Sequence, residues 1–223
     1  MPTLDRHDDV FVLDLGDSEN RFSPDWLTGV ETALDEVERA VGPRALVTAA
    51  TGKFFSNGLD LAWLSEHPEQ RDSYVGRVER LFARVLVLPV VTVAALQGHV
   101  FAAGAMLSLA HDLRVMRADR GFWCLPEVDI GLPLRPGMSA LVQARLTPQT
   151  AHVAMTTGRR YGGTDAQAAA IVDVAVAEDA VRLTALELAA AHAAKAGPVL
   201  ATIRSRAYAP VLALLQQAPA PAG

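Results

Sequence analysis

The 223-residue chain is poor in cysteine, in aromatic residues and in positive charge. Its one cysteine, Cys124, cannot form an internal disulfide, so we expect a reducing compartment. Twenty Lys and Arg against 25 Asp and Glu give a net charge of −5 at pH 7. That balance argues against a general nucleic-acid binder, because no excess of cations is available to neutralise phosphates.

Long hydrophobic runs are also missing. The longest apolar stretch, residues 85–96, is too short to span a bilayer and contains Pro89. The first nine residues are polar and acidic, unlike a signal peptide, and the chain does not end in the peroxisomal Ser-Lys-Leu signal. We therefore expect a soluble cytoplasmic protein with no membrane partner.

Several catalytic and cofactor motifs are absent. The sequence has no Gly-rich dinucleotide fingerprint and no His-Glu-x-x-His helix, and Gly52-Lys53 is followed by Phe54 rather than by the Ser or Thr of a phosphate loop. No serine lies in a nucleophile elbow. The histidines lack metal-ligand spacing; they are His7, His67, His99, His111, His152 and His192. We predict no metal site and no redox cofactor.

What is present is an alternation of apolar strands and amphipathic helices, which predicts one α/β domain with a largely parallel sheet. The predicted strands are 10–15, 45–50, 90–96, 113–116 and 172–176. The predicted helices are 25–39, 74–87, one that follows a turn within 98–110, 178–195 and 200–217, with a further start at 164–165. The Ala- and Pro-rich residues 218–223 predict a disordered tail.

The segment Lys53 to Leu61 follows a predicted strand, at the end where α/β sheets hold ligands. Asn57-Gly58 tolerates left-handed backbone, so that successive amides can point at one place and bind an anion. The alternative is an ordinary turn that caps a helix beginning near Leu59. Local sequence alone does not separate these two interpretations.

A second segment, Gly98 to Met106, follows the most apolar strand and is rich in small residues. Small residues let a ligand approach the backbone, and a helix that begins near Ala103 presents free amides with a partial positive charge. Two amides from two loops that point at one carbonyl oxygen would form an oxyanion hole. Small residues are equally typical of close packing between a helix and a sheet.

Glu127 lies in a third segment, between Leu125 and the apolar residues Val128 and Ile130. We expect these neighbours to remove water from the carboxylate, which would raise its pKa towards that of a useful general base. Asp129 would share a face with Glu127 if the segment were extended. The alternative is a carboxylate that points to solvent at the end of a strand.

These three segments, in this order, resemble the crotonase family, also called the enoyl-CoA hydratase/isomerase superfamily. The resemblance covers residues 10–176 and implies a spiral of ββα units over 1–177, with a C-terminal helical region at 178–217. It also implies a homotrimer or hexamer. In that family the first segment binds the CoA moiety, which here places Ser56, Asn57, Gly58, Leu59, Asp60 and Leu61 against CoA.

The resemblance further implies that the amides of Leu59 and Ala103 form the oxyanion hole and that Glu127 is the acid/base. Ala103 stands where the family commonly has glycine, which leaves the required amide in place. The second glutamate of the family's hydratases corresponds to Met106, whose thioether cannot polarise a water molecule. The match is therefore better to the Δ3-Δ2-enoyl-CoA isomerases, and Phe54 to Trp63 is particularly similar to the plant peroxisomal type.

The function implied is the conversion of a 3-enoyl-CoA to a 2-enoyl-CoA by one carboxylate, with CoA entering as part of the substrate and with no separate cofactor. A hydratase or another acyl-CoA reaction of the family is the first alternative. A non-catalytic crotonase-fold binding or scaffold protein is the second.

Overall fold

Two β-sheets organise the chain in the computed structural model, which describes residues 1–217. The strands are β1 (Thr3–His7), β2 (Val10–Asp14), β3 (Ala45–Ala49), β4 (Phe54–Ser56), β5 (Val91–Leu96), β6 (His99–Phe101), β7 (Leu113–Arg117), β8 (Trp123–Cys124) and β9 (Val174–Val176). The α-helices are α1 (Pro24–Arg39), α2 (Leu61–Glu66), α3 (Arg71–Val87), α4 (Ala103–Ala110), α5 (Pro136–Arg145), α6 (Pro148–Thr157), α7 (Gly163–Ala168), α8 (Glu178–Ala190), α9 (Pro198–Ala207) and α10 (Ala209–Leu215). Short 3-10 helices cover Pro68–Gln70 and Ala193–Lys195.

The larger sheet has six strands in the order β1-β2-β3-β5-β7-β9. Only β1 and β2 pair antiparallel, and the other neighbours are parallel. Strands β3 and β5 are buried along their whole length, because apolar groups cover both faces of the sheet. One face meets the main core, and the other meets Val181, Ala185 and Ala189 of α8.

The smaller sheet is parallel, in the order β4-β6-β8. Each of its strands follows a strand of the larger sheet along the chain, so that β3 leads to β4, β5 to β6 and β7 to β8. A helix is the next element after each of these three pairs, which is the repeated ββα pattern that the resemblance implied. Because all three strands run the same way, their carboxyl ends lie at one edge of the small sheet.

The predicted elements are present with shifted ends, and two long helices were predicted wrongly. The helix predicted over 178–195 ends at Ala190, and a separate 3-10 turn follows. The helix predicted over 200–217 is two helices, α9 and α10, with Tyr208 between them. Pro210 lacks an N–H to continue α9 and fits the first turn of α10.

Strands β1, β4, β6 and β8 and helices α5 and α6 were not predicted as elements. The strands of the small sheet have only two or three residues, which is too short for a period-two pattern to be recognised. The division between a core at 1–177 and a helical region at 178–217 stays a prediction. The predicted tail at 218–223 lies outside the described residues. Within residues 1–217 no helix is long and apolar enough to cross a membrane.

Arg204 fastens the C-terminal helices to the large sheet. The residue is 6% exposed, and its guanidinium donates to the backbone oxygens of Leu88 and Val90 and pairs with the carboxylate of Asp112. The same carboxylate oxygen accepts hydrogen bonds from the amide and hydroxyl of Thr92, at 2.7 and 3.1 Å. One acidic side chain therefore holds both strand β5 and helix α9.

We predict that Asp112→Ala lowers the free energy of unfolding by about 3 kcal/mol, because it leaves the Arg204 guanidinium buried without its partner. The matched control is Asp35→Ala, which breaks an exposed ion pair with Arg84 and is expected to cost less than about 1 kcal/mol. Urea unfolding of both variants measures the difference. Equal losses would mean that burial of Arg204 adds nothing to the strength of its pair.

Candidate active site

The three segments singled out in the sequence meet at the carboxyl edge of the small sheet. Strand β4 ends at Ser56, β6 at Phe101 and β8 at Cys124. The predicted CoA loop, the start of α4 and the turn that holds Glu127 follow these strands directly. Because β6 lies between β4 and β8, the α4 start is adjacent to both of the other segments.

The CoA loop and the start of α4 touch through backbone. A Cβ built on Gly58 would lie 2.9 Å from the amide nitrogen of Ala103 and 3.0 Å from the Cβ of Ala102. One built on Gly104 would lie 2.7 Å from the backbone oxygen of Ser56. Gly58 also has φ of +80°, a left-handed conformation that glycine adopts without strain. Any side chain at either glycine would push the two loops apart.

The two amides assigned to the oxyanion hole have no acceptor. Among residues 1–217, no atom accepts a hydrogen bond from the N–H of Leu59 or of Ala103. Ala102 has φ 53° and ψ −126°, the angles of the first central residue of a type II′ turn, which usually is glycine. This conformation sets the direction of the Ala103 amide at the N-terminus of α4, where the helix dipole favours negative charge.

Asn20 holds the start of the CoA loop by hydrogen bonds, a role that the sequence analysis missed. Its side-chain amide donates to the backbone oxygens of Phe54 and Phe55, at 3.2 and 3.1 Å. Its own backbone oxygen accepts from the Ser56 hydroxyl at 2.8 Å. The available signal was a lone asparagine in the loop between β2 and α1, a residue type that tolerates the left-handed φ of 49° found here.

Tyr74 of α3 fixes the far end of the same loop. Its hydroxyl donates to the backbone oxygen of Phe22 at 2.8 Å and accepts from the Asp60 amide at 2.9 Å. Burial raises the pKa of this phenol to about 12, so it stays a donor at neutral pH. The Asp60 carboxylate caps α2 by accepting from the Trp63 amide at 3.2 Å.

The six residues predicted to bind CoA thus occupy different environments. Ser56 is buried, and its hydroxyl bonds within the protein. Gly58 is buried against α4, Asn57 and Leu59 are partly buried, and Asp60 caps a helix. Leu61 begins α2 and is 41% exposed. The helix expected near Leu59 begins two residues later, because Asp60 supplies the cap.

Glu127 is a partly buried carboxylate in the turn after β8. Its Oε2 atom is inaccessible to solvent and has no hydrogen-bond partner among residues 1–217. Burial raises the pKa of Glu127 to about 7, as its backbone hydrogen bond only partly offsets the loss of water. The expectation of a desolvated carboxylate is thereby confirmed.

The expected cause of that desolvation is partly wrong. Leu125 is fully buried, but Val128 and Ile130 are each about half exposed. The segment is a turn, in which the amides of Asp129 and Ile130 both donate to the backbone oxygen of Pro126. Asp129 therefore does not share an extended face with Glu127, and its carboxylate lies against Gly158 instead.

Met106 and Cys124 are both buried near this edge. Met106 is 1% exposed in the first turn of α4 and packs in the main core. Cys124 is also 1% exposed, and burial raises the pKa of its thiol to about 11, in agreement with the predicted small buried hydrophobe. In the described part of the chain no group of three His, Cys, Asp or Glu side chains could hold a metal ion.

Comparison with known proteins identifies the family of the chain. The family model for enoyl-CoA hydratase/isomerase matches residues 6–219. The chain belongs to this family. It is 38% identical to "Enoyl-CoA delta isomerase 2, peroxisomal" of Arabidopsis thaliana, over 96% of this chain and 95% of the relative. It is 39% identical to "Enoyl-CoA delta isomerase 3" of the same plant, over 93% and 92%.

Solved structures of the family share the fold. An apo enoyl-CoA isomerase of Mycobacterium tuberculosis superimposes with a TM-score of 0.88 at 27% identity, over 96% of this chain and 94% of that one. Human mitochondrial Δ3-Δ2-enoyl-CoA isomerase gives 0.87 at 22% identity, over 95% and 84%. The predicted family and the predicted crotonase-like α/β fold are confirmed.

The loop contact predicts two substitutions of opposite sign. Gly58→Ala adds a Cβ against the Ala103 amide at a left-handed φ, so we expect it to lower the free energy of unfolding by about 2 kcal/mol. Ala102→Gly removes the backbone strain of an alanine with positive φ, so we expect it to raise the free energy of unfolding by about 1 kcal/mol. Thermal and urea unfolding measure both. A stabilised Gly58→Ala variant would contradict the close approach of the loops.

Proposed function

We propose that the protein is a Δ3-Δ2-enoyl-CoA isomerase in which Glu127 moves the proton and the amides of Leu59 and Ala103 hold the thioester oxygen. The observation that carries the proposal is the buried, unpartnered Oε2 of Glu127, in the turn adjacent to the unpaired Ala103 amide. A carboxylate with a pKa near 7 is suited to both accept and return a proton at neutral pH. The two delta isomerases at 38% and 39% identity support the same reaction.

In the proposed reaction the Glu127 carboxylate removes a proton from C2 of the 3-enoyl-CoA. The electrons of that C–H bond move onto the thioester oxygen, and a dienolate forms whose negative charge the two amides stabilise. The protonated Glu127 then gives the same proton to C4, which leaves the double bond between C2 and C3. Loss of one oxyanion-hole donor typically costs about 3 to 4 kcal/mol, so the backbone amides contribute as much as the carboxylate.

Residues Ser56 to Leu61 form the proposed CoA-binding loop, and CoA enters as part of the substrate. Asn57, Leu59 and Leu61 supply its accessible surface, whereas Ser56, Gly58 and Asp60 hold its shape. No separate cofactor takes part in the proposed reaction. Two-point anchoring by Asn20 and Tyr74 keeps the loop in a binding-ready conformation, which reduces the entropy lost on binding.

The hydratase alternative has less support, because a hydratase must hold and polarise a water molecule. Met106 stands where the family's hydratases have their second glutamate, and a buried thioether is only a weak acceptor. The scaffold alternative leaves Glu127 without a purpose. A buried carboxylate with an unpartnered oxygen costs stability, and a protein with no catalytic task would gain by replacing it.

We propose the cytoplasm as the compartment, supported by the single buried cysteine, although one relative quoted above is named as peroxisomal. We also propose a homotrimer or a pair of trimers. Apolar side chains on the surface of the single chain support association: Val128 and Ile130 are half exposed beside Glu127, and Val199 and Ile203 of α9 are 72% and 59% exposed.

Glu127→Gln keeps the size of the side chain and removes the base. We expect it to lower kcat by about 10²- to 10⁴-fold while binding of a CoA ester changes little. Asp129→Asn, a nearby exposed carboxylate, is the control and should retain activity. Steady-state kinetics with a 3-enoyl-CoA decide the matter, and a Glu127→Gln enzyme within about tenfold of the wild type would remove Glu127 from the mechanism.

The raised pKa of Glu127 predicts how activity and stability depend on pH. The base acts when ionised, so kcat/KM should rise with pH and level off above about 7. The folded-state pKa lies above the unfolded one, so this group's contribution to stability is present at low pH and is lost as pH rises through about 7. Glu127→Gln should therefore be more stable than the wild type at pH 8 but not at pH 4. A pH-independent difference between the two proteins would contradict this assignment.

The identity of residue 106 predicts the choice of reaction. The wild-type protein should convert a 3-enoyl-CoA with a much larger kcat/KM than it hydrates a 2-enoyl-CoA. Met106→Glu should raise hydration at some cost in stability, and Met106→Gln controls for polarity without charge. If the wild-type protein had the larger kcat/KM for hydration, the isomerase assignment would be wrong, and only the fold and the oxyanion hole of this proposal would stand.

The proposed assembly predicts a mass in solution of three chains or a multiple of three. Multi-angle light scattering at micromolar concentration measures it. Val199→Ser with Ile203→Ser tests the α9 surface, and a wild-type monomer would contradict the proposed assembly.

A further inference from the structure

A cavity lies at the opposite edge of the small sheet from the candidate active site. It has a volume of about 290 Å³, is open to solvent on one side, and is lined by the loops that lead from the large sheet into β4, β6 and β8, together with the start of α8. Its walls include backbone from Gly52, Gly98 and Gly121. The polar and charged residues that line it are Thr51, Lys53, Gln97, His99, Arg117, Arg120 and Glu178.

The charge of this cavity is opposite to that of the chain. The chain carries −5, whereas three cations and one carboxylate line the cavity. Arg117 is neutralised by Asp119 and Glu178, at 2.7 and 2.5 Å. Lys53 and Arg120 form no ion pair with any residue from 1 to 217. Three cations against the two carboxylates of Asp119 and Glu178 leave this region with a net charge of +1.

His99 lines the same cavity as these two cations. Its Nδ1 atom is inaccessible to solvent and has no hydrogen-bond partner among the described residues. The side-chain oxygen of Gln97 is likewise buried and without a hydrogen-bond partner among them. Burial lowers the pKa of His99, and the charges of Lys53, Arg120 and Arg160 lower it further. The imidazole is therefore neutral next to these cations. Its Nδ1 atom is closed to solvent, so a ligand reaches the ring only at Nε2, which has no hydrogen-bond partner among residues 1–217.

Two phenylalanine rings lie beside the His99 ring that lines the cavity. The His99 ring lies 5.4 Å from that of Phe54 and 5.8 Å from that of Phe122, and Phe122 is 40% exposed. Lys53 lies over the Phe54 ring, at 5.4 Å from its centroid. Lys53 and Arg120 are themselves exposed at the mouth of the cavity.

We propose that this cavity binds a small phosphate-bearing anion, with Lys53, Arg120 and His99 as its ligands. Cations that are free of carboxylate partners, a neutral imidazole able to donate and a wall of glycine backbone together suit a compact dianion. The volume accommodates a phosphate group with a small substituent. The carboxylate of Glu178 lines the same cavity and opposes the binding of an anion by charge repulsion.

This site is separate from the proposed CoA loop although it shares strands with it. Lys53 precedes β4 and Asn57 follows it, while His99 begins β6 and Ala102 follows it. Four residues of extended chain span about 13 Å, so the two sites occupy opposite ends of the same short strands. An anion and an acyl-CoA should therefore bind together rather than compete.

The test uses inorganic phosphate and the wild-type protein, followed by NMR of the His99 ring, with His99→Asn to assign the signal. We expect a saturable shift and a higher pKa for His99 in the presence of phosphate. Lys53→Gln combined with Arg120→Gln should weaken binding by about tenfold or more, because each charged hydrogen bond contributes on this scale. Arg71→Gln, an exposed cation on α3, is the control and should bind as the wild type does.

Glu178→Gln removes a negative charge from the cavity, so this variant should bind phosphate more tightly than the wild type. A variant that had simply unfolded would not gain affinity for phosphate. The proposal is overturned if phosphate causes no saturable shift at His99, or if the double variant binds as tightly as the wild type. Displacement of phosphate by CoA would also overturn it, since the cavity would then be part of the CoA site.

Discussion

The candidate active site depends on the contact between two stretches of backbone, the CoA loop at Gly58 and the start of α4 at Ala103. There is no room for a side chain between them, since a Cβ on Gly58 would lie 2.9 Å from the Ala103 nitrogen. This approach brings the unpaired amides of Leu59 and Ala103 to the same edge of the small sheet. Preorganised backbone donors need no reorganisation when negative charge develops, and this is why such contacts are effective in catalysis.

The rest of the structure holds that contact in place. Asn20 and Tyr74 hold the CoA loop by hydrogen bonds at its two ends. The parallel pairing of β4 with β6 fixes the position of the loop relative to the start of α4. One energetic cost of this contact is backbone strain at Ala102, whose φ and ψ angles are usually adopted by glycine. A second cost appears at Glu127, whose unpartnered oxygen is buried and whose pKa is raised by that burial. Backbone strain at Ala102 and desolvation at Glu127 are thus both present where the proposed chemistry occurs.

Part of this was predictable from sequence. The buried strands β3 and β5 have uninterrupted β-branched and apolar residues, and α1 has the Ser23-Pro24 start that its cap confirms. The three segments that carry the resemblance were found because small residues and a lone glutamate stand out against an apolar background. Glu127 was correctly predicted to be desolvated.

The rest could not be predicted from local patterns. Strands β4, β6 and β8 have two or three residues, and they exist because their neighbours in the sheet complete their hydrogen bonds. The turn at Glu127 could not be distinguished from an extended segment, because apolar residues alternate there, although Val128 and Ile130 are half exposed in the structure. The support from Asn20 spans more than thirty residues of chain, a distance that no periodicity reveals.

The central claim is that two backbone amides from two loops hold one thioester oxygen. The measurement that tests it most directly is a crystal structure of the Glu127→Gln variant with a 3-enoyl-CoA bound. We predict that the thioester oxygen lies within about 3.1 Å of the amide nitrogens of both Leu59 and Ala103, with the substituted side chain at position 127 facing C2 and C4. A thioester bound away from either amide, or an acyl chain directed away from position 127, would contradict the account.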